Sequence, residues 1–235
     1  MKTNDIKLWK VYERVVVKFM SEEYSSEEWT VIPNARITGY ISNRKRQIDV
    51  LIDYRFNHDL ERRIIIDAKE RKRPIDIKEV ESFEGTMRDV GAQKGFLICT
   101  NGYTKAAQNR AQQAIGLKII PESEIEELNI SSWDYCCNCE RGLVLWDLYF
   151  GIEYDGMNYI QATGKCDNCG KFHIWCWSCG NKYVIGSEEE FQCNNCEEPW
   201  FWMTSIEQEE DGSKYLYLLL ILGNGLHYII DKLPL

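Results

Sequence analysis

The pattern of apolar and polar positions over the first 128 residues predicts alternating helices and strands. The opening segment, DIKLWKVYERVVVKFM, has apolar residues at nearly every third or fourth position, which predicts a helix. The two apolar stretches of TVIPNARITGYISNRKRQIDVLIDYRF predict strands separated by a glycine and a basic turn. The run RRIIIDAKERKRPID predicts another strand that leads into a basic loop.

Two further helix–strand pairs follow. DIKEVESFEGTMRDVGA has helical periodicity and begins near Pro74 and Asp76, which suit a helix N-terminus. KGFLICT predicts a buried strand, and NGYTKAAQNRAQQAIG predicts a helix that ends at Gly116. LKIIPESEIEELN predicts a last strand and a short acidic helix. The predicted order α-β-β-β-α-β-α-β corresponds to a mixed sheet with helices on its faces.

The second half of the chain has the pattern of a β-rich domain. Strand-like aromatic runs, LVLWDLYFGIEY and FHIWCWSC, precede an apolar stretch from Tyr215 to Ile230. That stretch is shorter than the ~20 residues of a spanning helix, and Gly223-Asn224-Gly225 interrupts it. We therefore expect a core hairpin or a buried helix, and no membrane span. With ELNISSWDY as the linker, the predicted domains are 1–129 and 130–235.

Composition and charge indicate two modules in an ordinary globular protein. The chain is 44% hydrophobic and 28% charged, and its N-terminus is too polar for a secretion signal, so we expect a cytoplasmic protein. Residues 1–128 hold 22 Lys and Arg against 21 Asp and Glu, which leaves 6 against 16 for residues 129–235. The net charge of −9 thus belongs to the second half, which could bind a partner protein.

Acidic residues and a lysine occur near the ends of the predicted strands. Asp67 and Lys69 share one face of the strand that begins with three isoleucines, since residues two apart point the same way. Taken alone, such a pair is more often a salt bridge at a rim. Asp49, on the preceding strand, and Glu13, on the first helix, add two more carboxylates. Carboxylates that hold a hard divalent cation, with a lysine beside it, suit hydrolysis of a phosphodiester.

The order of the motifs around these residues resembles the Mrr-like restriction endonucleases of the PD-(D/E)XK nuclease superfamily. RQIDVLID and IIIDAKE are followed by a basic stretch, then by VGAQKG before a strand and GYTKAA at the start of a helix. The resemblance extends from about Val11 to about Glu127. It implies a restriction-endonuclease-like fold and an endonuclease that uses Mg²⁺ or Mn²⁺ to cleave double-stranded DNA. A role in restriction of foreign or modified DNA is also implied. Because cutting both strands usually takes two active sites, we expect a homodimer.

The resemblance implies roles for individual residues as well. Asp49 and Asp67 would bind the metal together with the main-chain carbonyl of Ala68, Lys69 would be the catalytic lysine, and Glu13 would complete the site. Asp67 stands where Mrr-like members usually have Glu, and the broader motif accepts both. Basic residues flank both strands and are predicted to contact DNA phosphates. These residues are Arg44, Lys45, Arg46, Arg71, Lys72 and Arg73.

Two alternatives to this function stay open at the level of sequence. A catalytically idle nuclease fold could serve as a DNA-binding or protein-interaction module, although all four site residues are present together. An active nuclease could also act on branched DNA or on RNA, as other members of the superfamily do.

Cysteines in the second half predict two zinc sites. Nine of the ten cysteines lie there, and eight form four C-x-x-C pairs, which favours metal ligation over disulfides in a chain without a secretion signal. Each pair can fill two corners of a zinc tetrahedron, so four pairs predict two four-cysteine sites in a zinc-ribbon-like domain. Sequential grouping of the pairs is simplest, and crossed grouping is the alternative. The predicted ligands are Cys136, Cys139, Cys166, Cys169, Cys176, Cys179, Cys193 and Cys196.

Tryptophans near these cysteines are the remaining candidates for DNA contact. The acidic charge of this half opposes phosphate binding across its whole face. A pocket formed by some of Trp175, Trp177, Trp200 and Trp202 could instead accept an extruded base. A role for these tryptophans in the core is the more frequent case.

Overall fold

The structure, a computed structural model, describes residues 7–111, 114–126, 134–196 and 198–235, which form two compact units. The first unit holds the described residues of 7–24, 33–53 and 59–126. The second holds 25–32, 54–58 and the described residues from 134 to 235. Two short segments of the first half of the chain thus belong to the second unit. The predicted domain boundary between residues 129 and 130 lies outside the described residues.

The first unit contains a mixed five-stranded sheet with helices, as predicted. Its strand order is β1-β2-β3-β4-β5, with β2 antiparallel to β3 and the pairs β3–β4 and β4–β5 parallel. The first residues of β1 and the last residue of β2 extend into the second unit. The elements are α1 (Leu8–Tyr24), β1 (Trp29–Thr38), β2 (Lys45–Tyr54), a 3-10 helix (Leu60–Arg62), β3 (Ile64–Lys69), α2 (Ile77–Asp89), β4 (Lys94–Cys99), α3 (Lys105–Arg110), β5 (Ile115–Ile119) and α4 (Glu122–Glu126).

Helix packing explains why the sequence of β3 has the pattern of a buried strand. Helix α1 packs on β3, and its buried face includes Tyr12, Val16 and Met20. Helix α2 packs on β4 at Gly95, where any larger side chain would clash with Phe83 of α2. With β2 on one side and β4 on the other, the isoleucines of β3 are enclosed and only its C-terminal end opens to solvent.

One predicted helix boundary is wrong. Helix α3 spans Lys105–Arg110, and Gly116 lies inside β5 opposite Phe96 instead of ending the helix. A Cβ at position 116 would clash with the Phe96 ring, so glycine is required there for close approach of a ring from the neighbouring strand.

The second unit contains two four-stranded antiparallel sheets, in agreement with the predicted β-rich domain. One has the order β6-β7-β8-β9 and the other β10-β11-β12-β13. The predicted hairpin is confirmed, because β12 and β13 pair on either side of the turn at Gly223–Gly225. No helix among the described residues is long and apolar enough to cross a bilayer. The strands are β6 (Val144–Tyr154), β7 (Met157–Cys166), β8 (Phe172–Trp175), β9 (Lys182–Ile185), β10 (Glu190–Phe191), β11 (Trp200–Gln208), β12 (Lys214–Leu222) and β13 (His227–Pro234).

A buried cluster of charged residues holds segments 25–32 and 54–58 in the second unit. Arg55 donates to Asp147 at 2.7 Å, and Lys165 donates to Asp231 at 2.5 Å. Thr30 donates its hydroxyl to the other oxygen of Asp231 and accepts a hydrogen bond from Lys165. Arg55, Lys165 and Asp231 are at most 1% exposed, so these charges depend on one another for compensation.

Candidate active site and metal centres

The candidate active site lies where β2 and β3 separate. Their ladder ends at the pair Val50–Ile66, one residue before Asp49 and Asp67 reach facing positions. Lys69 follows two residues after Asp67 on the same face of β3. All three side chains line one cavity of about 310 Å³, together with residues of α2. The structure therefore brings together Asp49, Asp67 and Lys69.

Asp49 occupies an electrostatically unfavourable position. Its Oδ2 accepts the main-chain N–H of Ala68 at 2.8 Å, a donor that the ladder no longer uses. Burial is the main reason that its pKa is raised to about 7, and the neighbouring Asp67 carboxylate and then Glu13 raise it further. Two carboxylates crowded in this way fit a divalent cation, which would relieve both the burial and the repulsion.

Lys69 is paired with Asp67 beside these carboxylates. Its Nζ lies 2.5 Å from Asp67 Oδ1, and about 31% and 25% of the two side chains are exposed. The pair is thus a salt bridge, yet it lies inside the cavity and beside Asp49. With both acids ionised, the three groups carry a net charge of −1, so the lysine compensates only half of the negative charge.

Glu13, on α1, is not among the described residues that line this cavity. It forms an ion pair with Lys10 on α1 at 3.0 Å, and it contributes to the raised pKa of Asp49. Among the described residues, no three acidic side chains converge as closely as the cysteines described below. The assignment of Glu13 and of the Ala68 carbonyl as metal ligands stays a prediction.

The cavity also contains residues that the sequence did not reveal as candidates. Gln47 lines it from β2, two residues before Asp49. The period-2 rule applied to that strand would have found it. Phe83 and Thr86 line it from α2, and only the packing of that helix on the sheet places them there.

The six predicted DNA-binding residues divide into two groups. Arg46 donates to the buried Asp89 at 2.5 Å, and Arg71 forms an ion pair with Glu79 near the start of α2. These two arginines stabilise the fold locally. The other four are exposed and form no ion pair with any residue in the described ranges, so they are free to meet phosphates. They are Arg44, Lys45, Lys72 and Arg73.

The cysteines form two clusters with the predicted sequential grouping. One contains Cys136, Cys139, Cys166 and Cys169, and the other contains Cys176, Cys179, Cys193 and Cys196. The crossed grouping is wrong. Across each cluster, paired Sγ atoms lie 3.7 Å apart. A tetrahedron with Zn–S bonds of about 2.3 Å has edges of about 3.8 Å, so both clusters fit zinc.

Local backbone geometry prepares the thiols for metal. Cys166 accepts the N–H groups of Asn168 and Cys169 at 3.3 and 3.4 Å, and Gly170 follows with a φ of +67°. Gly180 has the same left-handed conformation after the third pair. His173, which is 1% exposed, lies with Nε2 3.4 Å from Cys136 Sγ, beside the first cluster and not among its four ligands.

Comparison with known proteins supports the assignment of the first unit. A family model described as "Restriction endonuclease" (Mrr_cat) matches residues 8–129, which are 122 of the 235 residues. A search of curated proteins finds no match. The crystal structure of a protein of unknown function, AF1548, is similar with a TM-score of 0.37 and 21% identity. That alignment covers 48% of this chain and 61% of the other, so this chain spans less than two thirds of it.

Proposed function

Because the chain belongs to the Mrr family of restriction endonucleases, we propose that it is a metal-dependent endonuclease that hydrolyses phosphodiester bonds in double-stranded DNA. The observation that carries this proposal is the convergence of Asp49, Asp67 and Lys69 in one cavity. We further propose that the enzyme acts in restriction of foreign or modified DNA in the cytoplasm.

The residues of the cavity fit Mg²⁺ or Mn²⁺. The carboxylates of Asp49 and Asp67 and the carbonyl of Ala68 would hold the ion, and Glu13 would complete the set. A bound divalent cation supplies charge neutralisation at the phosphate and a water of lowered pKa. The crowding that raises the pKa of Asp49 is the sign of this fit, since a carboxylate pair of this kind lacks sufficient positive charge within the chain.

Lys69 supplies the positive charge that the protein itself brings to the reaction. Its Nζ stands at the open end of β3, where Asp67 fixes its position. From there it can donate a hydrogen bond to a phosphate oxygen as negative charge develops, or orient the attacking water. Asp67 thereby has two roles, as a metal ligand and as the anchor of the lysine.

The exposed basic residues support binding of a duplex backbone. Arg44 and Lys45 precede Asp49 on the chain, and Lys72 and Arg73 follow Lys69, so both strands of the site are flanked by free cations. Such contacts position DNA without reading its sequence. Because the first half is nearly neutral overall, binding should be modest and should weaken steeply with salt. Two chains would supply the two sites that cutting both strands requires, so we propose a homodimer.

Plasmid cleavage by the purified chain tests this function directly. We expect nicking or linearisation with Mg²⁺ or Mn²⁺, and a loss of at least about 100-fold for Lys69→Ala and Asp67→Ala. Lys78→Ala removes an exposed lysine of α2 and should retain activity. Methylated, unmethylated and branched DNA, and RNA, are compared as substrates. Equal inertness of the wild type and both site variants on all of them would favour the idle-fold alternative.

Metal analysis tests the second unit separately. We propose two zinc ions per chain, one in each cysteine cluster. Mass spectrometry under native conditions should find close to two zinc ions per chain, and Cys139→Ser should lower this number. The Mg²⁺ or Mn²⁺ of the nuclease site would not contribute after dialysis, because hard cations bound by two carboxylates exchange readily.

A further inference from the structure

A second cavity lies within the second unit beside the Cys176 cluster. It has a volume of about 90 Å³, and strands of both sheets contribute to its walls. Aromatic rings make up much of its lining, and the proposed nuclease activity does not use it. These rings belong to Tyr159, Trp177, Phe191, Trp200 and Trp202.

Two of the lining rings, those of Tyr159 and Trp200, meet at a steep angle. Trp200 stands edge-on to Tyr159, with ring centroids 5.1 Å apart and planes at 67°. Tyr154 meets Trp200 at 81° from 6.3 Å. Trp177, which also lines the cavity, stacks on Trp175 with ring centroids 5.6 Å apart and planes at 6°. Aromatic π faces carry partial negative charge, so a lining rich in rings attracts a compact cation.

The polar groups of the cavity offer acceptors without an opposing cation. Gln161 is 6% exposed, and its side-chain amide has no hydrogen-bond partner in the described part of the chain. Glu198 accepts the Ser178 hydroxyl at Oε1, while its Oε2 accepts no hydrogen bond from the described residues. Among the described residues that line the cavity, none is Lys or Arg. The Gln161 carbonyl, the Glu198 carboxylate and the aromatic lining together therefore favour a positively charged ligand.

Size further restricts the ligand. At about 90 Å³, the cavity is small. Sites for whole drug-sized ligands begin at about 300 Å³. A small, rounded head group fits better.

We propose that this cavity binds a methylated ammonium group, with Glu198 balancing its charge and the Gln161 carbonyl oriented toward it. The same chemistry occurs in small quaternary amines and in methylated lysine side chains of proteins. The acidic balance of residues 129–235, with 6 bases against 16 acids, favours approach of either. This site is independent of the nuclease reaction, so its test does not use DNA cleavage.

Tryptophan fluorescence of the full-length, zinc-loaded chain measures binding directly. Choline is titrated beside 3,3-dimethylbutan-1-ol, which has nearly the same shape without the charge, at constant ionic strength. We expect saturable binding of choline and at least about tenfold weaker binding of the alcohol. A peptide with trimethyllysine is compared with its unmodified form. Tighter binding of the peptide than of choline would identify a partner protein as the source, and the reverse would identify a small amine.

Two variants and a matched control complete the test. Glu198→Gln and Trp200→Leu should each weaken choline binding roughly tenfold. Glu210→Gln removes the same charge from an exposed position outside the cavity and should leave the affinity unchanged. Circular dichroism and zinc content show whether each variant is folded. If Trp200→Leu is unstable, the result for Glu198→Gln decides the test. Equal affinity for the alcohol, tighter binding of deoxycytidine, or no binding of any ammonium probe would overturn the proposal.

Discussion

At the scale of single residues, the candidate site places a cost in stability on the metal-free protein. Asp49 is held against Asp67 and beneath the Ala68 N–H in a position where its charge is disfavoured. The fold tolerates this position because α1 and the neighbouring strands enclose the isoleucines of β3. Stability alone would therefore favour another residue at the position of Asp49, whereas the proposed function requires its carboxylate.

Asp49→Asn should stabilise the folded chain at pH 8 in buffer that lacks Mg²⁺ and Mn²⁺. Since the folded pKa of about 7 exceeds the usual 3.8, the folded state binds more protons than the unfolded state between these values. Wild-type stability therefore falls as the pH rises from about 4 to 7, and the asparagine removes a cost on the order of 2–4 kcal/mol. Urea unfolding at pH 4 and pH 8 measures the difference, which should vanish at pH 4.

Added Mg²⁺ provides the control for this prediction. It should raise the stability of the wild type at pH 8 and leave Asp49→Asn nearly unchanged, because the variant lacks a ligand charge. An asparagine variant that is less stable than the wild type at pH 8 without the divalent ion would contradict the assigned environment of Asp49.

Asp89 shows the opposite behaviour. Burial acts to raise its pKa, but hydrogen bonds from Ser42, Arg46 and the Ile41 N–H outweigh it and lower the pKa to about 2. Its contribution to stability is therefore present above about pH 3.8 and is lost as the pH falls through 2. We expect Asp89→Asn to cost on the order of 2 kcal/mol at pH 7. Urea unfolding should show this difference shrinking below pH 4, and a difference that is constant with pH would refute it.

Sequence patterns revealed part of the site at this scale and missed part for identifiable reasons. Spacing along β3 predicted that Asp67 and Lys69 share a face, whereas their grouping with Asp49 in one site was implied by the resemblance to the Mrr-like family. The ion pairs of Arg46 and Arg71 were not predicted, because their acidic partners come from α2, and contact of these arginines with phosphates stays a prediction. A partner on another element leaves no signal near the arginine in the sequence.

At the scale of elements, α2 connects local sequence signals to the shape of the candidate site. Asp76 accepts the N–H groups of Lys78 and Glu79, and Glu79 in return accepts the Asp76 N–H at 3.0 Å. This capping box fixes the first turn of a helix whose Phe83 and Thr86 line the cavity. By contrast, Gly116 looked like a helix end and proved to be a strand position that accommodates a ring, which only the pairing of β4 with β5 determines.

Asp76→Ala should destabilise the chain by about 1 kcal/mol, because two N–H groups of α2 lose their acceptor. Asp76→Ser keeps a side-chain oxygen at the same position and should cost only a few tenths of a kcal/mol. Urea unfolding of both variants beside the wild type provides the comparison. Equal losses for Ala and Ser would show that the cap contributes nothing beyond the charge.

At the scale of the whole molecule, the division of the chain into units does not follow the division seen in composition. Cysteines and acidic residues placed a boundary near residue 129, but segments 25–32 and 54–58 also belong to the second unit. Periodicity reports how a segment is buried and not which unit buries it, so these segments could not be assigned from sequence. The two acidic partners of Arg55, Asp147 and Asp231, lie 92 and 176 positions away, so the sequence around Arg55 gives no sign of them.

Asp231→Ala should therefore destabilise the second unit far more than the loss of an exposed acid. The substitution leaves Lys165, which is 1% exposed, without its carboxylate partner, and removes the acceptor of the Thr30 hydroxyl. Removing one partner of a buried ion pair costs about 3–5 kcal/mol, whereas Glu210→Ala on the surface should change stability by less than about 0.5 kcal/mol. Thermal unfolding of the zinc-loaded protein compares the two.

The segment 54–58 directly continues the strand that carries Asp49, so hydrogen exchange along 45–58 in Asp231→Ala shows whether loosening of this anchor extends into β2. We expect faster exchange at 54–58 and protection retained at Val50 to Ile52, where the pairing with β3 holds the strand independently of the anchor.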